Sequence, residues 1–379
     1  MSQLALSGRA LLPDGTVQEA TVVVDRGVIT RVTPGLDSKA DLVVPGTIAP
    51  GFIELQLNGA YGADFSNDGH LVASVAARLT ETGVTAFLPT IITSPWETYP
   101  KRLSQVREAM RDTRGATGAQ PLGVHLEGPF LSPARRGAHN QAFLRIPNMD
   151  EMHQWADESI TRIVTLAPEL PGALDAIRAL RGKGIVVSAG HSTATYAEAI
   201  AGFEAGITWG THLYNAMRGL GHREPGLTGA LISSCVPCGL IADGIHVHPA
   251  MIKLAFKAKG TQGITLVTDA MEAMGMPPGR YKLSDRQVSV DETSARLADG
   301  TLAGSILMLD QAVRNVIEFT GCSLAEALTM ATATPAHVLG LDRKGRIAPG
   351  CDADLVILDE FLHVERTLVA GKSVYERNT

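Results

Sequence analysis

Eight short runs rich in Val, Ile and Leu recur along the chain, at 52–58, 85–91, 122–127, 162–167, 185–190, 207–212, 239–243 and 264–269. Amphipathic helical patterns, such as GALDAIRALRGKG and TYAEAIAGFEAG, separate several of them. Runs of this length and apolarity suit strands buried on both faces, and strands that alternate with helices belong to parallel sheets. Eight such units predict an α/β fold, a (β/α)8 TIM-type barrel. An open doubly wound sheet is the alternative, but no G-x-G-x-x-G follows the early strands.

The first run carries an oddity. In GFIELQLNG, residues 51–59, Ile53, Leu55 and Leu57 alternate with Glu54, Gln56 and Asn58. The alternation places three polar side chains on one face of a buried strand, which is costly unless that face serves something. Histidines would be the usual choice for a metal site, and this segment has none.

Both ends of the chain break the pattern. Residues 1–50 read as strands and turns, as in TVVVDRGVITRV, and residues 346–379 return to strands in DADLVILDEFLHVERTLVAGKSVYE. Because they flank a barrel at 51–345, they are expected to pack together as one small β-sandwich built from both termini. Within the barrel segment a β-hairpin insertion is expected near 280–300. Two helices, SILMLDQAVRNVIEFTG and SLAEALTMATATPAHVLG, follow it.

Composition limits the partners. The 379 residues carry a formal charge of -6, so no basic field invites nucleic acid, and an anionic substrate has to be held by a few local cations. No apolar run approaches the ~20 residues that cross a bilayer, so no membrane partner is expected. The opening MSQLALSGRALLPDG lacks the features of a signal peptide. Four cysteines suit a reducing compartment, and a cytoplasmic location is expected. Cys235 and Cys238 form a C-x-x-C, but it runs into the strand-like GLIADG and no second pair completes a zinc site.

In barrels of this kind the C-terminal strand ends carry the chemistry. Gln56 and Asn58 end the first run, and Glu127 ends the third, in GVHLEGPF. His191 follows the fifth in VVSAGHS, His212 ends the sixth in WGTHLYNAM, and Asp269 ends the eighth in LVTDAM. One His after an apolar strand is more often a satisfied buried side chain than a ligand. Two His, a Glu and an Asp at four strand ends point further. Glu/His/His is a common ligand set for a catalytic divalent metal that keeps a position open for water, and a neighbouring carboxylate can take that water's proton. The set predicts metal-assisted hydrolysis. His125 lies on the Glu127 face but one layer deeper, where a structural role fits better than ligation. His246 and His248, in HVH, have metal-like spacing in a loop, where holding an anionic group is as plausible.

Taken with the blocks HLEGPF, RGAHN, TLAPE, VSAGHS, THLYNAM, REPG, ADGIHVH, LVTDAM, GSILM and APGCDADLVILD, these residues resemble the amidohydrolase superfamily and, within it, the N-acetylglucosamine-6-phosphate deacetylase family. The resemblance spans nearly the whole chain. It implies hydrolysis of N-acetyl-D-glucosamine 6-phosphate to D-glucosamine 6-phosphate and acetate, in amino-sugar catabolism or cell-wall recycling. It assigns the metal to Glu127, His191 and His212, the acid/base role to Asp269, and polarisation of the acetyl carbonyl to His139. Sugar-phosphate contacts fall on Ala138, His139, Asn215, Ala216, Arg223, Asp243 to His246, Leu302, Ala303 and Gly304, with Ala303 standing where some relatives have Ser.

The oddity of the first run acquires a reading by the same resemblance. The wider superfamily places His-x-His there for a second metal. Gln56-x-Asn58 replaces it here, and neutral amides are poor ligands for zinc or iron. One divalent metal per subunit is implied, zinc first, with iron, cobalt or manganese also suited to the set. The family further implies a homodimer in which Arg223, on a polar loop at 216–228, completes the phosphate site of the neighbouring subunit. Rival readings are a deacetylase of N-acetylgalactosamine 6-phosphate, an N-acyl-amino-acid deacylase and, more remotely, a non-catalytic scaffold.

Overall fold

A computed structural model describes residues 3–113, 118–148, 152, 157 and 159–377. Its central sheet holds eight parallel strands in sequence order: Phe52–Leu57, Val84–Ile92, Val124–Glu127, Thr161–Leu166, Val186–Ala189, Ile207–Gly210, Cys238–Leu240 and Ile264–Leu266. Each coincides with one of the apolar runs. Every residue of the first two strands is buried, as expected for strands covered on both faces.

The first and eighth strands meet in a parallel bridge between Leu57 and Ala270. Asp269 N–H donates to the Gln56 carbonyl at 2.9 Å, and Asn58 N–H to that of Ala270 at 2.9 Å. Below them the Glu54 carboxylate reaches across and accepts the Thr268 N–H at 2.9 Å, while also accepting the Gln56 N–H at 2.9 Å. A side chain thus substitutes for ladder bonds and closes the barrel. This is the purpose of the first polar residue on that strand.

Residues of both termini form a seven-stranded sheet in the order Lys372–Glu376, Val364–Val369, Leu355–Leu358, Leu42–Pro50, Leu4–Leu11, Val17–Asp25, Val28–Pro34. The two ends join where Leu42–Pro50 pairs antiparallel with Leu355–Leu358. Strand alternation divides the side chains between two cores. Ile48, Leu355 and Ile357 enter a core made by this sheet with Ile347, Cys351 and Ala353. Ala49, Val356 and Leu358 enter the barrel core. The small β-layer is therefore welded to the barrel at this strand pair, with Leu11 and Val364 also entering the barrel core and the Thr367 hydroxyl donating to the Thr80 carbonyl at 2.7 Å.

Three expectations need correction. The segment 323–340 is two helices, Leu324–Ala331 and Ala333–Val338, parted at Thr332 (φ -130°, ψ -78°). Pro335 has no N–H for the carbonyl of Ala331 and its ring crowds that carbonyl, which breaks the helix there. The hairpin near 280–300 is a three-stranded antiparallel sheet, Gly279–Leu283, Arg286–Val290 and Ala295–Arg296. The loop expected at 216–228 ends early, because the helix Gly226–Ser233 begins inside it and buries Leu227 and Thr228.

Candidate active site

Glu127 is the last residue of the third barrel strand. His191, His212 and Asp269 lie just past the fifth, sixth and eighth strands, each with left-handed backbone, at φ 49°, 28° and 50°. Non-glycine residues favour that region only under constraint, and here it turns each side chain off its strand towards the barrel axis. The sixth and eighth apolar runs overrun their strands for this reason: their final residues are the turns that present His212 and Asp269.

The side chains converge on one carboxylate oxygen. Glu127 Oε1 lies 3.1 Å from His191 Nε2, 3.0 Å from His212 Nε2 and 3.0 Å from Gln56 Nε2. The two imidazole Nε2 atoms are 3.0 Å apart. His139 Nε2 stands 3.8 Å from Glu127 Oε2. All five side chains are buried, none more than 4% exposed.

His191 Nδ1 faces the Arg135 carbonyl at 2.9 Å, and since a carbonyl only accepts, Nδ1 carries the proton. A neutral His191 therefore aims a bare lone pair at an anionic oxygen. Positive charge has to fill the point between them, as protons or as a cation. Ligand atoms ~2.0–2.2 Å from a tetrahedral ion stand about 3.3–3.6 Å apart, a few tenths of an ångström more than the spacing found here, so a small outward shift lets Glu127, His191 and His212 hold a divalent metal.

Without such an ion, protons hold the balance. Burial works against ionisation of Glu127, but the hydrogen bonds of His191 and His212 outweigh it and keep the carboxyl well below its usual range. Burial opposes a charge on His212 too, yet contact with Glu127 lifts that imidazole above its ordinary value.

His139 differs. The Thr93 N–H, which can only donate, points at His139 Nδ1 from 3.4 Å, and the Thr93 hydroxyl lies 2.8 Å from the same nitrogen. Nδ1 is thus the acceptor and Nε2 carries the hydrogen, directed into the site. Burial, reinforced by His191, lowers the His139 pKa to about 3, so it is neutral at working pH and offers one N–H.

Asp269 receives two amide donors on one oxygen. Asn58 Nδ2 and Gln56 Nε2 both donate to Oδ1, at 2.7 and 3.1 Å. Gln56 also bridges to Glu127, so its amide separates the two carboxylates. The carbonyl oxygens of Gln56 and Asn58 are buried without a hydrogen-bond partner among the described residues. Burial, then the nearby Glu127 charge, push the Asp269 carboxyl up to about 6.

The remaining residues that the sequence singles out are placed as follows. Ala303 is buried, and Gly304 has φ 68°, where a Cβ would stand 2.9 Å from the Asp269 carbonyl. Ala138 is buried, one residue before His139. Asn215 donates to the Leu213 carbonyl at 3.3 Å, and Ala216 is left-handed at φ 48°. Asp243 and His246 are paired at 2.6 Å. Arg223 is exposed and makes no bond to a described residue of its own chain.

Two decoys resolve. His248 caps the helix Pro249–Lys259 by accepting the Ala250 N–H at 3.1 Å. His125 lies one layer below the site, donating to the Leu55 carbonyl at 3.1 Å and accepting from Thr165 at 2.7 Å. Cys235 and Cys238 are both free, one exposed and one buried. Thr93, absent from the residues expected at the site, immediately follows the second barrel strand, Val84–Ile92, and so stands at the same rim.

Comparison with known proteins agrees with this geometry. The amidohydrolase family matches residues 47–374. The N-acetylglucosamine-6-phosphate deacetylase of Bos taurus is 45% identical over 345 residues, 87% of this chain and 83% of that protein. The N-acetylgalactosamine-6-phosphate deacetylase of Escherichia coli O157:H7 is 38% identical over 98% of this chain and 99% of its own length. A mutant N-acetyl-D-glucosamine-6-phosphate deacetylase from Mycobacterium smegmatis, solved in complex with N-acetyl-D-glucosamine-6-phosphate, superposes with a TM-score of 0.92 at 34% identity, covering 99% of this chain and 100% of that one. With an eight-stranded barrel, a buried Glu/His/His centre and relatives matched along nearly their whole length, this chain belongs to the amidohydrolase family and, within it, to the N-acetylglucosamine-6-phosphate deacetylases.

Proposed function

We propose that the protein hydrolyses the acetamide of N-acetyl-D-glucosamine 6-phosphate, releasing acetate and D-glucosamine 6-phosphate. One observation carries the reading: Glu127 Oε1 and the Nε2 atoms of His191 and His212 lie within 3.1 Å of one another, with Gln56 linking that centre to Asp269. A divalent metal on those three residues, zinc first among the candidates, supplies Lewis acidity and lowers the pKa of water. Asp269 removes the proton of the attacking water and passes it to the departing amine. His139, neutral and protonated on Nε2, donates to the acetyl oxygen as negative charge develops there. Ala138, Asn215, Ala216, Leu302, Ala303 and Gly304 border the sugar, and Arg223 with His246 and Asp243 serves the phosphate.

The same reading makes the barrel at 51–345 the catalytic unit, with 1–50 and 346–379 as its β-sandwich companion. It places the enzyme as a homodimer in the cytoplasm, in keeping with its free thiols. The test is acetate release from a panel of N-acetylated sugars, with and without the 6-phosphate, and with added metals. N-acetylglucosamine 6-phosphate is expected to lead. A preference for the galactosamine epimer would move the chain to the specificity named for its Escherichia coli relative, and activity on N-acyl amino acids alone would overturn the sugar-phosphate reading.

A further inference from the structure

Glu169 stands three residues past the fourth barrel strand, half-buried, and among the described residues its bonds all go to the loop after the fifth. Its Oε1 accepts the Thr193 N–H at 2.6 Å and the Thr193 hydroxyl at 3.0 Å, while Oε2 accepts the Ser192 hydroxyl at 2.6 Å. Ser192 Oγ in turn accepts the Ala194 N–H at 3.0 Å. This is the turn that carries His191.

Two other loops lean on the same turn. The Ser132 N–H donates to the His191 carbonyl at 2.9 Å, and His191 Nδ1 donates to the Arg135 carbonyl, tying in the segment that leads to His139. On the opposite side, Ser192 N–H donates to the Ala216 carbonyl at 3.0 Å and Arg218 N–H to the Ser192 carbonyl at 2.9 Å. Arg218 Nη1 also donates to the Thr193 carbonyl at 3.4 Å. One carboxylate therefore fastens a junction whose arms carry His139, His191 and Asn215–Ala216.

Building on the metal reading above, we propose that Glu169 is a positioning residue for the metal centre. A left-handed turn at a non-glycine residue persists only where its surroundings over-determine it. Glu169 supplies that constraint at His191 by occupying the N–H of Thr193, two residues on, and the hydroxyls of Ser192 and Thr193. Without it those donors turn to water, the turn relaxes, and His191 Nε2 leaves the point it shares with Glu127 and His212. The role depends on hydrogen bonds rather than on charge. A Gln at this position keeps an oxygen for the Thr193 N–H, and its amide nitrogen can donate to the Ser192 hydroxyl.

The experiment is zinc affinity, measured by competition with a chromophoric chelator, for wild type, Glu169→Ala and Glu169→Gln. Outer partners of metal ligands typically set affinity by about 10–100-fold, so Glu169→Ala is expected to weaken zinc by that factor while Glu169→Gln stays within about threefold of wild type. Unchanged affinity in Glu169→Ala overturns the role, and equal losses in both variants replace positioning with a simple field effect, overturning it as well. Should Glu169→Ala fail to fold, Ser192→Ala removes a single bond to Glu169 and is expected to weaken zinc by a smaller factor; no weakening counts against the proposal. Absence of tight zinc in the wild type would strike the underlying metal reading instead.

Discussion

At Asp269 two amide N–H groups meet one oxygen, which leaves Oδ2 free of amide donors and open to a proton. Asp269→Asn retains an oxygen for Asn58 and Gln56 but cannot take a proton. Loss of the acid/base step is expected to lower kcat by ~10²–10⁴ while elemental analysis still finds the metal. Metal lost in proportion to activity would make Asp269 chiefly a ligand. Gln56 and Asn58 direct their N–H groups to the carboxylates, and among the described residues one full set of strong donors remains at this centre. Purified enzyme should therefore hold about one tight metal per chain, and two by elemental analysis would contradict the single Glu/His/His set. Glu127, His191, His212 and Asp269 could be read from the sequence because a polar side chain ending an apolar strand is conspicuous. Thr93 and Glu169 could not. They act on backbone groups and ring tautomers, which only the folded chain brings within reach.

Among the structural elements, the closure between first and eighth strands rests partly on Glu54. Burial lifts its carboxyl from 4.5 to about 8, so between those values the folded chain keeps a proton that the unfolded chain releases. The stability linked to that proton is complete below about pH 4.5 and is lost as pH rises through about 8. Glu54→Gln has no such dependence, but its amide nitrogen must face a backbone N–H that the carboxyl oxygen accepts. An unsatisfied buried donor costs about 1–3 kcal/mol. In urea unfolding with zinc held in fixed excess, the variant should therefore be less stable than wild type at pH 5, with the gap closing by pH 9. A gap of the same size at both pH values would mean that Glu54 is ionised throughout. The eight strands themselves were legible because burial on both faces writes an uninterrupted apolar run. Their ends were less so, since the rule cannot distinguish the last strand residue from a left-handed residue such as His212. The break at Thr332 was in principle readable from Pro335; a strong helical pattern on either side masked it.

For the whole molecule, the proposed function asks an acidic chain to grip a phosphate with a few local cations, and exposed Arg223 is the cation proposed to serve the neighbouring subunit. Charge-assisted bonds are worth about 1.5–3 kcal/mol, so Arg223→Ala should lower kcat/KM for the phosphorylated sugar by ~10–200-fold. The rate with unphosphorylated N-acetylglucosamine should barely change. Equal losses on both substrates would place Arg223 in support of the fold. Mixing Arg223→Ala subunits with Asp269→Asn subunits tests the crossing: a hybrid dimer holds one intact site only if Arg223 serves its neighbour, and activity then returns. No recovery after confirmed exchange would put Arg223 to work within its own chain. The left-handed backbone at His191, His212 and Asp269 has a consequence for selection. Each such residue holds roughly 1–3 kcal/mol of strain that Gly, and to a lesser extent Asn, would release. Drift at these positions therefore relieves backbone strain while it destroys function. A mutant library sorted in chelator for heat resistance alone should gather glycine and asparagine at these three positions, and the proteins it yields should be sturdier than their parent and inert.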